Sequence, residues 1–346
     1  MASCLIGLGS NLGDRQRNLD EAVQRLAGHP QVTVLRRSRW WPTAPVGGPA
    51  GQRPFLNGVV VAETSLAPEA FWQLLRRAEA AAGRRRSVAW GPRQLDLDLL
   101  LYDRLVLETP HLQVPHPSMA WRRFVLHPAL EVAPDWVHPT TGWTISQLVR
   151  HLDTAAPYVA IAGPACCGKT QLAGILARRT EGLPIRDSAS GARIGSPAGS
   201  SGSLLAVELE LLAWRAELLH PLAACWADPG RLKISDFWFD QGLAYAGVRL
   251  GVEDFRRFRQ RWETDRRRVV QPKLTVMLDP APGRGRRGDR ERAGAAGGVD
   301  FVGAALRRLV TSPGHGPVLR ADGPTLAAVA DRVLAALEAS RPHTLL

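Results

Sequence analysis

Asp96 and Asp98 stand two residues apart in the run Trp90-Gly91-Pro92-Arg93-Gln94-Leu95-Asp96-Leu97-Asp98-Leu99-Leu100-Leu101. The leucine spacing predicts a strand, in which both carboxylates share one side while Leu95, Leu97 and Leu99 face a core. Two like charges so close repel unless a cation sits on them. Mg2+ suits the pair, because it is a hard ion usually held by one or two carboxylates together with substrate phosphates. The plain alternative is an edge strand whose acids point into water. The arginines of Arg84-Arg85-Arg86, the Gly-Pro-Arg at 91–93 and Trp90 favour an anionic ligand.

A second phosphate-handling pattern is Gly163-Pro164-Ala165-Cys166-Cys167-Gly168-Lys169-Thr170, which reads G-x-x-x-x-G-K-T. It lies between a buried-strand pattern, Tyr158 to Ala162, and a helical one, Gln171 to Arg179. That context identifies a P-loop, in which backbone amides and Lys169 cradle phosphates and the Thr170 hydroxyl ligates Mg2+. A glycine turn carrying an exposed lysine is the alternative.

Behind these sites, apolar strand and amphipathic helix patterns alternate through Leu152, and Asp153 to Pro157 reads as a linker. The expected fold class is α/β: an α+β ferredoxin-like domain over 1–154, then a parallel-sheet P-loop domain over 158–346. A chain of 346 residues is long enough for two cores. No run of 18 apolar residues and no charged leader with an apolar stretch is present, so neither a membrane partner nor a signal peptide is expected. The cysteines, Cys4, Cys166, Cys167 and Cys225, form no C-x-x-C pair, which suggests a reduced, cytoplasmic chain without structural zinc. The net charge of +12 raises nucleic acid as a partner. It is carried almost wholly by arginine spread along the chain, and it serves anionic nucleotide substrates equally well. No nucleic-acid partner is expected, and the sequence leaves the oligomeric state open.

The first half resembles the 6-hydroxymethyl-7,8-dihydropterin pyrophosphokinases of folate biosynthesis from about Cys4 to Leu152. The matching blocks are Leu5-Ile6-Gly7-Leu8-Gly9-Ser10-Asn11-Leu12-Gly13-Asp14, Thr43-Ala44-Pro45-Val46, Phe55-Leu56-Asn57, Trp90 to Asp98, Val114-Pro115-His116-Pro117 and Arg122-Arg123-Phe124. The resemblance implies an enzyme that moves the β,γ-diphosphate of ATP to the hydroxymethyl group of the dihydropterin, releasing AMP. Asp96 and Asp98 would hold two Mg2+ on the triphosphate, with Arg84, Arg86, Arg93 and Arg122 on the phosphates. His116 would donate to a phosphate, Trp90 would lie on the ATP side, and Phe55 and Phe124 would sandwich the pterin. Asn57 would read the ring edge, with Thr43, Pro45 and Val46 adding contacts. Glu79 matches a nucleotide-side contact, although a solvated helix position is the alternative reading. Three departures stand out: the 84–90 loop is one residue short, His111 replaces a frequent arginine, and Pro117 replaces a frequent aromatic.

The second half is similar to the deoxynucleoside kinase group of P-loop kinases. The likeness rests on Gly163 to Thr170, on Leu232-Lys233-Ile234-Ser235-Asp236-Phe237-Trp238-Phe239-Asp240-Gln241 and on the strand Leu274 to Asp279. It implies phosphoryl transfer to a deoxynucleoside, with Gly163, Gly168, Lys169 and Thr170 on ATP and with Asp187 and Asp236 as catalytic candidates. Several positions depart from that group. Asp187 stands where a glutamate is usual and Glu208 where a glutamine is usual, and the run 283–292 replaces an arginine lid. A degenerate nucleotide-binding regulatory module therefore remains the alternative for this half. An RNA-binding ferredoxin-like module is the alternative for the first half, and the acids at 96 and 98 oppose it, since they would make a base-stacking surface negative.

Overall fold

The computed structural model describes residues 1–83, 91–187, 203–279 and 299–342. Arg84, Arg86 and Trp90 therefore lie outside the described residues, as do the Gly/Ser stretch at 188–202 and the arginine-rich run at 283–292. The chain divides into two compact units. One is Met1–Thr154 with Pro313–His315 and Ala335–Leu346; the other is Ala155–Ser312 with Gly316–Leu334. No helix of the described residues is long and apolar enough to cross a membrane.

In the first unit the order is β1 (Ala2–Ser10), α1 (Arg15–Ala27), β2 (Val32–Arg37), β3 (Trp41–Thr43), β4 (Phe55–Thr64), α2 (Pro68–Ala81) and β5 (Asp96–Tyr102). The strands pair antiparallel in the order β2-β4-β1-β5, with β3 added to β4, which is the ferredoxin-like arrangement. The sheet is covered on both faces. Ile6, Leu8, Val60, Ala62, Leu97 and Leu99 pack against Leu19, Leu26, Phe71 and Leu75 from α1 and α2. The alternate residues Leu5, Val59 and Val61 meet Leu126 and Ala129 of α3 (Arg123–Val132), and Leu148 and Leu152 of α4 (Ile145–Thr154). A short hairpin of β6 (Leu107–Glu108) and β7 (Gln113–Val114) precedes α3.

Two local features shape this unit. The Asp14 side chain accepts from the Arg17 amide at 3.1 Å and caps α1, after Gly13 has taken a positive φ of 64°. In β5 the register against β1 slips between Leu5 and Ile6, so that Leu99 pairs with Ile6 and Leu101 with Leu5. Leu100 is the extra residue of this bulge, and both Leu100 and Leu101 join the core on the α3 and α4 side. The expected linker at 153–157 is shorter than its composition suggests. Helix α4 continues through Thr154, whose hydroxyl donates to the Arg150 carbonyl at 2.8 Å, and Asp153 is ion-paired with Arg123.

The second unit carries β8 (Tyr158–Ala162), α5 (Lys169–Thr180), β9 (Leu183–Ile185), α6 (Leu204–Leu218), β10 (Lys233–Ser235), α7 (Gln241–Arg249), α8 (Val252–Arg266), β11 (Leu274–Leu278), α9 (Val299–Val310), β12 (Val318–Ala321) and α10 (Leu326–Ala339). Its five strands are parallel, in the order β12-β11-β8-β10-β9. β8, β10 and β11 are buried along their whole length, as parallel strands covered on both faces must be. After β8 the chain moves toward β9, and after β10 it crosses to β11, so the connections diverge between β8 and β10. Crevices at such a switch point are where open α/β sheets bind ligands.

His138, in the turn before α4, is 5% exposed, and burial pushes its pKa down from 6.5 to about 4. The folded state therefore holds the ring neutral, while the unfolded chain takes up a proton near pH 6.5. This contribution to stability is complete above pH 6.5 and is lost as the pH falls toward 4. Between pH 7 and pH 5 the loss should be about 2 kcal/mol. Hydrogen-exchange protection of residues 134–145, corrected for intrinsic rates, should fall accordingly in the wild type and stay level in His138→Asn.

Candidate active site

The first site is built on an unusually bare stretch of sheet. Gly9 of β1 pairs with Asn57 on one side and Asp96 on the other, and Gly7 pairs with Val59 and Asp98. The central strand thus contributes no side chain between the two flanking rows. A Cβ at Gly9 would lie 2.8 Å from Asn57 Oδ1 and 3.8 Å from the Phe55 ring. Sequence reasoning missed this role of Gly7 and Gly9, although the signal was present: two glycines at i, i+2 within an otherwise apolar strand.

Asp96 and Asp98 are 27% and 34% exposed at the side chain, open enough for an ion to reach them. Asp96 is ion-paired with Arg93. Arg93 is itself fixed by its backbone: its amide donates to Asn11 Oδ1 at 2.7 Å, and the Asn11 amide donates to its carbonyl at 3.0 Å. Asp98 Oδ2 lies 3.7 Å from both His116 Nε2 and Arg122 Nη1. His116 Nδ1 accepts from the Ser118 amide at 3.2 Å, which leaves the proton of the neutral ring on Nε2, facing the acid. Burial lowers the His116 pKa, with Asp98 opposing and Arg122 adding to the effect, so the ring is a neutral donor at pH 7. Arg122 lies over the Trp121 and Phe124 rings, each at 5.5 Å. Burial pushes its pKa down while Asp98 and Asp96 pull it back, and a guanidinium stays charged throughout.

Across the glycine floor, Asn57 Nδ2 donates to Thr43 Oγ1 at 2.6 Å, and both residues are buried. Phe55 shares the face of Asn57, two residues earlier on β4, and Phe124 stands in the first turn of α3, which covers that face. Pro45 and Val46 are half-buried in the segment after β3. His111 and Pro117 are exposed. Glu79 corrects the reading of a solvated helix position. It is 1% exposed, and its Oε1 accepts from the Leu97 amide at 3.0 Å while Oε2 accepts from Arg76 at 2.8 Å. The helix periodicity carried the signal, because Glu79 follows Phe71 and Leu75 at four-residue intervals on the buried stripe of α2, but its acidic side chain argues for solvent.

No cluster of three or more His, Cys, Asp or Glu side chains is placed to hold a metal ion among the described residues. Two open carboxylates are nevertheless a suitable donor set for Mg2+ that takes its remaining oxygens from phosphates and water.

In the second unit the loop from Gly163 to Gly168 joins β8 to α5. A Cβ at Gly163 would come within 2.5 Å of the Leu278 carbonyl and 2.7 Å of Cys167 Sγ, and Gly168 has a φ of 96°. Only glycine fits either position. Lys169 Nζ donates to the Pro164 carbonyl at 2.6 Å, and burial lowers its pKa. Thr170 Oγ1 donates to Asp236 Oδ2 at 2.7 Å, and Asp236 Oδ1 accepts from the Asp187 amide at 2.8 Å. Asp187 Oδ2 is held by Arg215 Nη2 at 2.5 Å, and that buried guanidinium lies over the Phe237 ring. The Tyr245 hydroxyl donates to the Gly163 carbonyl at 3.2 Å. Glu208 is buried and paired with Arg249 at 2.5 Å. Arg215 and Tyr245 were not foreseen, because they reach the loop from helices far along the chain and no local pattern marks them.

The model of the family 7,8-dihydro-6-hydroxymethylpterin-pyrophosphokinase matches residues 5–134. The 2-amino-4-hydroxy-6-hydroxymethyldihydropteridine pyrophosphokinase of Synechocystis is 43% identical over 152 residues, covering 44% of this chain and 77% of that protein. The enzyme of the same description from Bacillus subtilis is 47% identical over 127 residues, covering 37% and 75%. Among solved structures, a deoxyadenosine kinase from M. mycoides is similar over 52% of this chain and 98% of its own, at 9% identity and a TM-score of 0.37, a likeness too slight to bear on the second unit. Through its first unit, the chain belongs to the 7,8-dihydro-6-hydroxymethylpterin-pyrophosphokinase family.

Proposed function

We propose that residues 1–154 transfer the β,γ-diphosphate of ATP to 6-hydroxymethyl-7,8-dihydropterin in folate biosynthesis. The supporting observation is the convergence of Asp96, Asp98, Arg93, His116 and Arg122 on one side of the glycine floor, with Asn57 and Thr43 on the other. The pterin hydroxyl attacks the β-phosphorus, a new P–O bond forms, the bond to the α-phosphate oxygen breaks, and AMP leaves while the hydroxyl proton passes to water. Asp96 and Asp98 hold Mg2+, two ions in this reading, whose charge screens the phosphates from one another. Arg93, Arg122 and the Nε2–H of His116 orient the phosphate oxygens, joined by Arg84 and Arg86, while Trp90 is assigned to the ATP side. Phe55 and Phe124 stack on the pterin, Asn57 reads its edge, and Pro45 and Val46 close the pocket. The free cysteines suit a reducing compartment, and a cytoplasmic location follows from this reading.

For the second unit we infer a P-loop kinase acting on a deoxynucleoside, with a purely nucleotide-binding regulator as the rival reading. The observation that favours transfer is the connected chain from Thr170 through Asp236 to Asp187 beside Lys169. Gly163 and Gly168 let the loop wrap the phosphates, Thr170 is the Mg2+ position, and Asp187 and Asp236 face the acceptor.

Three outcomes test these readings. Purified protein with Mg-ATP and the hydroxymethyl dihydropterin should release AMP, and Asp96→Ala with Asp98→Ala should lower kcat by about 100-fold or more. AMP release undiminished in that double variant would refute the mechanism. Gly9→Ala should raise the pterin KM about 10-fold with little change in the ATP KM, because the new methyl displaces the Asn57 carboxamide. Labelled ATP offered with a panel of deoxynucleosides should give transfer that Asp236→Asn abolishes, whereas nucleotide binding without transfer would favour the regulator.

A further inference from the structure

The Glu79 carboxyl is buried, which is costly unless its oxygens are hydrogen-bonded or paired. Among the described residues β5 pairs with β1 alone, so it is an edge strand, and alternate amides point outward. The outward amide of Leu97, between Asp96 and Asp98, meets Glu79 Oε1 at 3.0 Å rather than water. Arg76 holds the other oxygen at 2.8 Å, which fixes the rotamer of Glu79. The acids lie at the start of β5, where an unsecured edge would let the peptide rock and change the separation of the two carboxylates.

We propose that Glu79 is a positioning residue: by accepting the Leu97 amide it sets the spacing and direction of Asp96 and Asp98, and so determines metal affinity at that pair. This rests on reading the pair as the Mg2+ site. The role belongs to the acceptor oxygen, so glutamine should substitute for it and alanine should not.

Mn2+ binding, followed by electron paramagnetic resonance in the presence of a non-hydrolysable ATP analogue, tests the idea on the full chain. With the second phosphate loop silenced throughout by Lys169→Ala and Thr170→Ala, binding that disappears on adding Asp96→Ala and Asp98→Ala establishes the metal site by itself, and persistence of binding in that background would sink the reading beneath the proposal. Glu79→Ala is expected to weaken Mn2+ about 10-fold and to lower kcat while the pterin KM stays level, with Glu79→Gln recovering most of both. Equal losses in the two variants would assign the effect to charge and overturn the proposal. So would unchanged Mn2+ affinity in Glu79→Ala accompanied by weaker binding of the analogue at saturating metal, since that marks a direct nucleotide contact. Should Glu79→Ala fail to fold, the wild-type Leu97 amide decides the matter. It is expected to exchange slowly with solvent despite its edge position, and exchange at the rate of an open amide would overturn the proposal.

Discussion

The repulsion between Asp96 and Asp98 is the constraint around which the first unit is arranged. Same-side neighbours on a strand are separated by about 7 Å, and two unit charges at that distance in a protein-like medium repel by roughly 2 kcal/mol. That is a large fraction of the net stability of an ordinary domain. The surroundings of the pair answer it from several directions. Arg93 sits on one acid, Arg122 and the donor face of His116 approach the other, and the strand is secured to β1 along one edge. In the proposed function, an incoming cation and phosphate complete this arrangement.

The second unit meets the same electrostatic problem by different means. Its Gly163–Gly168 loop offers backbone amides and a lysine whose pKa burial lowers, and its acids are tied into hydrogen bonds with Thr170 and Arg215. Carboxylates gather positive charge in the first unit, whereas the peptide backbone supplies it in the second. The tight contacts at Gly163 and the positive φ of Gly168 follow from that choice, since amides can converge on a phosphate only where side chains are absent.

Much of this was legible in the sequence because the relevant signals are local. The alternation of Leu95, Leu97 and Leu99 with the acids, the G-x-x-x-x-G-K-T spacing and the Asp14 cap each depend on neighbours within a few residues. Glu79 was misjudged for the opposite reason: an acid on a helix looks solvated until the amide it faces, 18 residues later, is known. Arg215 and Tyr245 are further cases, since only tertiary folding brings α6 and α7 to the loop. The end of α4 was misplaced because Asp153 and Thr154 have linker composition, yet one is ion-paired and the other bonds back to its own helix. Gly7 and Gly9 were in plain view, but their meaning depends on which residues stand opposite them.

The bulge at Leu100 divides β5 into two segments with independent phase. In an uninterrupted strand, every residue that packs the core at one end dictates which residues face the site at the other, so a change of register anywhere rotates both. With Leu100 absorbing one residue, the hydrophobic half can seat Leu100 and Leu101 together against α3 and α4 while the acidic half keeps its own alternation. The phase of Leu101 is thereby offset from that of the acids along a single strand of seven residues, so that it packs on the face the carboxylates share with α3 and α4.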